Sequence, residues 1–132
     1  MLRAVADTHA LIWYVFDDPR LSSIANLVFD AAEANDDQVA FSPVSIVEII
    51  YLIEKGRIQP ATLSRVMQAI AINSFLVEAE VDAEVALAVQ QVPRTQVPDM
   101  PDRIIAATAL HLGVPLISRD RRISLSAVAT VW

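Results

Sequence analysis

Asp7, Glu48, Asp102 and Asp120 each close, open or interrupt an apolar segment, and apolar segments are what a fold places inside. Asp7 ends the apolar stretch 2–6, and Glu48 lies in the middle of the stretch 44–53. Asp102 opens the run 104–110, and Asp120 comes just after 115–118. An ionised carboxylate withdrawn from water without a partner costs several kcal/mol or more, so such groups persist only where something pairs them. No lysine or arginine is placed in sequence to pair all four. One hard cation would pair them together, so any fold for this chain should gather four distant acids at one place.

The pattern between those acids alternates short apolar runs with helical segments. Residues 2–6, 39–41, 75–79, 114–118 and 128–131 read as strands, and nearly all their residues are apolar. Helices are predicted over 8–16, 23–34, 43–55, 60–72, 82–91 and 100–112. Ser42 followed by Pro43 marks a helix start, and Gly56 and Gly113 mark helix stops. Three prolines make 91–101 a loop. Strands that are apolar throughout and alternate with helices indicate an α/β fold, a three-layer α/β/α sandwich around a short, mostly parallel sheet. Ligands in such sheets sit beyond the carboxyl ends of the strands, where Asp7 and Asp120 fall.

At 132 residues the chain is expected to form a single domain, 1–132. It lacks cysteine, which removes thiolate metal sites and disulfides and fits a reducing compartment. Charges interrupt every apolar run short of membrane-spanning length, and no signal peptide is recognisable, so a cytoplasmic protein without a membrane partner is expected. With 55% hydrophobic residues, the chain carries more apolar surface than one small core hides, which points to a homodimer or a bound partner. The net charge of −6 argues against a polyanion as ligand. Acids neutralised by a metal would soften that objection, and Arg119, Arg121 and Arg122 flank Asp120.

Each acid also has an ordinary reading. Asp7 precedes a helix and could simply cap it. Glu48 has only Ser45 as a polar neighbour on its helical face, so a structural role would need a partner from elsewhere. Of Asp99 and Asp102, the first reads as the helix cap and the second as the ligand, although both could merely favour the helix start. Asp120 could sit in a solvated turn. His9 falls inside the first helix and His111 is out of phase with Asp102. Neither has a second ligand at zinc spacing, and two glycines are too few for a phosphate loop.

Four segments carry a resemblance. They are 7–13 (DTHALIW), 42–48 (SPVSIVE) with 56–58 (GRI), 99–109 (DMPDRIIAATA) and 116–120 (LISRD). In this order they resemble the four motifs of PIN domains, especially the VapC-type ribonuclease toxins of bacterial toxin–antitoxin pairs. The likeness runs over essentially the whole chain. The third motif departs in one place, where Met100 rather than proline follows Asp99.

The resemblance implies that Asp7, Glu48, Asp102 and Asp120 bind Mg2+ or Mn2+ and are catalytic, with Thr8 and Ser118 as supporting hydroxyls. Oxygen-only ligands select those ions over zinc. The implied activity is metal-dependent endoribonuclease cleavage leaving 5′-phosphate and 3′-hydroxyl ends. Arg103, Arg119 and Arg121 would hold substrate RNA phosphates. It further implies a small antitoxin lying in an apolar groove, for which Trp13, Tyr14, Phe16, Ile50 and Tyr51 are candidates. Two rivals remain: a catalytically weak binding module folded around a structural ion, and a phosphoacceptor domain. The second would want paired acids after the first strand and a late lysine, and the sole lysine is Lys55.

Overall fold

A computed structural model describes residues 1–124 and 126–132. Its five strands are β1 (Leu2–Ala6), β2 (Gln38–Phe41), β3 (Leu76–Glu78), β4 (Leu116–Ile117) and β5 (Thr130–Val131). They form one sheet in the order β3-β2-β1-β4-β5, with every pairing parallel. The helices are α1 (Thr8–Val15), α2 (Ser23–Ala34), α3 (Pro43–Glu54), α4 (Thr62–Ile72), α5 (Ala83–Ala88), α6 (Met100–Leu112) and α7 (Arg121–Ser124).

The strands are apolar throughout because both faces are covered. Ala4 and Ala6 of β1 point into a core with Leu11, Phe29, Ile49 and Val66, from α1 to α4. Val5, between them, points the other way, into a core with Ala88, Ile105, Ala106 and Ala109 from α5 and α6. The two-residue side-chain period thus assigns successive β1 residues to opposite helical layers, giving the three-layer sandwich. Small residues on α6 (Ala106, Ala107 and Ala109, all fully buried) let that helix pack closely on the sheet.

Helix starts and stops follow local chemistry. Ser22, Ser42 and Asp82 accept bonds from first-turn amides of α2, α3 and α5. Gly113 ends α6 at φ 68°, a left-handed conformation that suits glycine. Two segments differ from expectation. The helix predicted over 82–91 stops at Ala88 and tightens into a 3-10 turn, Val89–Gln91. The charged stretch after Asp120, which reads from sequence as a turn, instead forms α7.

The strand order creates the functional edge. From β1 the chain goes on to β2 and β3 on one side, whereas β4 and β5 lie on the other. Such a reversal opens a crevice at the carboxyl ends of the two central strands. Asp7 follows β1, and its amide donates to the Ile117 carbonyl of β4 at 3.1 Å. Residues 118–120 therefore leave the sheet beside Asp7.

Candidate active site

A cleft of about 720 Å³ opens at that edge. Five carboxylates line it: Asp7, Glu48, Asp102 and Asp120, which the sequence singles out, and Asp99. Five of the chain's ten basic residues line it too, namely Arg20, Lys55, Arg57, Arg119 and Arg122. His9, Trp13, Tyr51 and Trp132 complete much of the wall.

Asp7 does two things at once. Its Oδ1 accepts from the Ala10 amide at 2.8 Å, capping α1, while the carboxylate also faces the cleft. Burial pushes this carboxyl above its ordinary value, against the pull of hydrogen bonds from the Ser118 hydroxyl and the Ala10 amide. Ser118 is itself buried, and its oxygen accepts from the Asp120 amide at 3.1 Å. One hydroxyl thus ties the Asp7 side chain to the loop that carries Asp120.

Glu48 has the partner that its own helix could not provide. The Thr8 hydroxyl, at the start of α1, meets Glu48 Oε1 at 2.5 Å and lies 2.9 Å from Ser45 Oγ. Thr8 and Ser45 are both buried. Burial again pushes the Glu48 carboxyl up, and the Thr8 bond opposes it. Asp102, in the first turn of α6, has no such relief. Burial pushes it up to about 6, helped by the charges of Glu48, Asp99, Asp120 and Asp7. The charges that push it up are all acids, so a bound cation is what would relieve them.

Asp99 occupies the N-cap position of α6 but makes no capping bond with its side chain, which lines the cleft instead. Asp99 therefore stands where the sequence places the cap, but without the side-chain bond of one. Asp120 accepts from the Arg122 amide at 2.8 Å and pairs with Arg122 Nε at 3.6 Å.

An all-oxygen set of mutually repelling carboxylates is the donor chemistry of a hard divalent cation. The set is not closed as it stands: among the described residues no three carboxylate or imidazole groups form a ready metal-holding cluster. Glu48 is engaged by Thr8 and Asp120 by Arg122. Each makes that contact through one oxygen, Glu48 Oε1 and Asp120 Oδ1, which leaves the second oxygen of each to meet an ion. In donor type the residues fit; in position they are not yet assembled.

Of the three arginines expected at substrate phosphates, Arg119 lines the cleft and the other two do not. Arg103 is a correction. Its Nε donates to the Val92 carbonyl at 2.9 Å and its Nη2 to that of Val89 at 3.0 Å, so the guanidinium fastens α6 to the 3-10 turn. Arg121 is exposed outside the cleft, because the helical turn of α7 brings Arg122 to the wall instead.

Other cleft residues are not apparent in the sequence. His9 reads there as an ordinary helix residue, yet it lines the cleft, and its charge lowers the Asp7 and Glu48 values. Arg57 lies in the motif segment 56–58, which is a usable signal, whereas nothing in sequence marks Arg20 or Lys55. The candidate groove residues divide. Phe16, Ile50 and Tyr51 are exposed, but Trp13 is buried and Tyr14 stacks on Phe29 at 4.1 Å. Phe16 lines a second groove of about 530 Å³ with Ile12, Ile53, Ile58 and Pro60. That groove shares Arg20 and Arg57 with the acidic cleft.

Known proteins resemble this chain in sequence and in fold. The sequence profile described as PIN domain matches residues 4–129. Ribonuclease VapC22 of Mycobacterium tuberculosis is 30% identical over 125 residues, covering 93% of this chain and 91% of that protein. The crystal structure of VapBC2 from Rickettsia felis, bound to a DNA fragment from their promoter, superposes with a TM-score of 0.70 at 15% identity. It covers 98% of this chain and 97% of that one. DNA-bound VapBC from Salmonella typhimurium gives 0.70 at 18% identity, with the same coverage. These two structures bear on the fold, and the sequence profile and the curated relative bear on descent. The chain belongs to the PIN domain family.

Proposed function

We propose that this protein is a metal-dependent endoribonuclease and the toxin of a toxin–antitoxin pair, acting in the cytoplasm. The observation that carries the reading is the cleft itself, in which acids from four separate segments form a negative floor inside a rim of five cations. A negative floor alone would repel RNA. The rim lets the strand's phosphates bind at the edges while one phosphodiester lies over the acids. The chain's similarity to a protein named Ribonuclease VapC22 supports RNA as the substrate.

In this reading Asp7, Glu48, Asp102 and Asp120 hold Mg2+ or Mn2+, and the bound ion supplies water activation and charge neutralisation at the phosphodiester. Thr8 and Ser118 orient the carboxylates of Glu48 and Asp7, to which they are bonded. Arg119 and Arg122, with Lys55 and Arg57 of the same cleft, hold flanking phosphates. An antitoxin segment in the Phe16 groove would reach the cleft through Arg20 and Arg57, which border both. The exposed Val47, Ile50 and Tyr51 on α3 offer apolar surface for a homodimer.

The test is incubation of the purified protein with RNA in Mg2+, in Mn2+ and in EDTA, beside the Glu48→Gln variant. Cleavage should need the ion and end in 5′-phosphates. Losing an outer partner of a metal ligand costs about 10- to 100-fold, so Glu48→Gln should lose at least about 100-fold. A binding module with a structural ion predicts instead that Glu48→Gln lowers the melting temperature and that no cleavage is ever ion-dependent.

A further inference from the structure

Arg119 stands beside five carboxylates and pairs with none of them. It follows Ser118 directly, precedes Asp120, is exposed and lines the cleft. Among the described residues it forms no ion pair and no hydrogen bond. Its neighbour Arg122, by contrast, has closed onto Asp120. The one partner shown for the Arg119 guanidinium is the Trp13 indole, whose ring centre is 4.6 Å from Cζ.

Trp13 is well placed to be a fixed platform. It is only 4% exposed, Trp132 packs edge-on against it at 5.8 Å, and His9 leans on it at 5.4 Å. Arg20 also lies on the ring, at 4.8 Å, but its guanidinium is committed to a two-pronged pair with Asp18. Of the two cations that share the indole, Arg119 alone keeps its hydrogen-bond donors open.

We infer that Trp13 is a positioning residue: its indole holds the Arg119 guanidinium at the cleft wall, away from the carboxylates, with its donors free for a substrate phosphate. The aromatic face attracts the cation without using any N–H, which a carboxylate partner would use. The same contact protects the acids, since an arginine closed onto Asp7 or Asp102 would compete with a metal ion for the same oxygens. The inference rests on the nuclease reading and adds a residue to it that touches neither metal nor substrate.

The experiment is steady-state cleavage of a single-stranded oligoribonucleotide by wild type, Trp13→Leu, Trp13→Phe, Arg119→Gln and the Trp13→Leu/Arg119→Gln double variant, over a range of KCl. Arg119→Gln and Trp13→Leu should each raise KM about tenfold and leave kcat within about threefold. Each should also flatten the salt dependence of kcat/KM by about 0.7 in log–log slope, the signature of one lost phosphate contact on a single strand. The double variant should be no worse than Arg119→Gln alone, and Trp13→Phe, which keeps an aromatic face, should retain most of the wild-type KM.

Multiplying losses in the double variant would overturn the inference, as would a Trp13→Leu protein with normal salt dependence. Should Trp13→Leu fail to fold, Trp13→Phe serves in the same cycle: its smaller KM effect must vanish once Arg119→Gln is present, and persistence overturns the idea. A wild type that cleaves no RNA at all removes the nuclease reading and this inference together. Active wild type with independent variant effects removes this inference alone.

Discussion

Asp102→Asn should reduce RNA cleavage about 10³-fold and yet leave the metal-free protein more stable near neutral pH than the wild type. The loss follows from removing one charge from the group proposed to hold the ion, since a single stabilising group in an active site is commonly worth a factor of about 10² to 10³. The gain follows from the Asp102 surroundings, where burial and four neighbouring acids push its carboxyl up to about 6.

A carboxyl whose folded value lies above its unfolded one of 3.8 binds its proton more tightly in the folded state. Its contribution is therefore fully present below about pH 4 and is lost as pH rises through about 6. The full linkage of about 3 kcal/mol shrinks, for a half-buried group screened by solvent, to about 1–2 kcal/mol. That corresponds to roughly 4–8 °C in melting temperature for a chain of this size. The check is a pair of thermal melts in EDTA at pH 4.5 and pH 7.5: the variant should gain on the wild type between the first and the second. Saturating Mg2+ should stabilise the wild type at pH 7.5 and have little effect on the variant. Equal gains at both pH values would show that the repulsion described for Asp102 is not felt.

The second large effect is expected where sequence suggests substrate binding and structure shows a fastening. Arg103→Ala removes two donors at once, leaving the Val92 carbonyl unpaired and that of Val89 with only its bond from the Val92 amide. Val92 is fully buried, so water cannot simply replace the guanidinium there. The expected loss is about 2–3 kcal/mol, or roughly 10 °C in melting temperature. Cleavage by the protein that remains folded should keep its KM and its salt dependence. Arg103→Lys should recover only part of the stability, because an ammonium lacks the planar fork that meets two acceptors. A raised KM with unchanged melting would return Arg103 to the phosphate contacts.

That contrast marks where the sequence is informative. Strand ends and helix starts follow from runs of apolar residues and single capping residues, so the sheet, the helix that Asp7 caps, the helix that carries Glu48, and the stop at Gly113 can all be read in one dimension. The gathering of Asp7, Glu48, Asp102 and Asp120 in one cleft can be anticipated too, because each charge sits in an apolar context that a shared site explains. Partners across elements cannot. Thr8 bonds Glu48 over a separation of 40 residues, and no local pattern announces that contact. Arginine is the least legible residue of all. Arg103, Arg119, Arg121 and Arg122 lie near the same acids in sequence, yet one ties down backbone, one rests on an indole, one faces solvent and one pairs with Asp120. A long flexible side chain takes its role from what lies within its reach, and that is a property of the folded surface.

The double duty of Asp7 limits how this protein could be disarmed by a single change. Asparagine is as good a helix cap as aspartate, whereas alanine at such a position costs about 1 kcal/mol. The substitution Asp7→Asn would therefore remove the charge from the cleft and still let the side chain accept from the Ala10 amide, so α1 would begin where it does now. Most other residues would lose the start of the helix along with the acid. A descendant that abandons chemistry but keeps its shape, and with it the surface an inhibitor grips, has one simple route at this site: the exchange of an oxygen for an amide nitrogen.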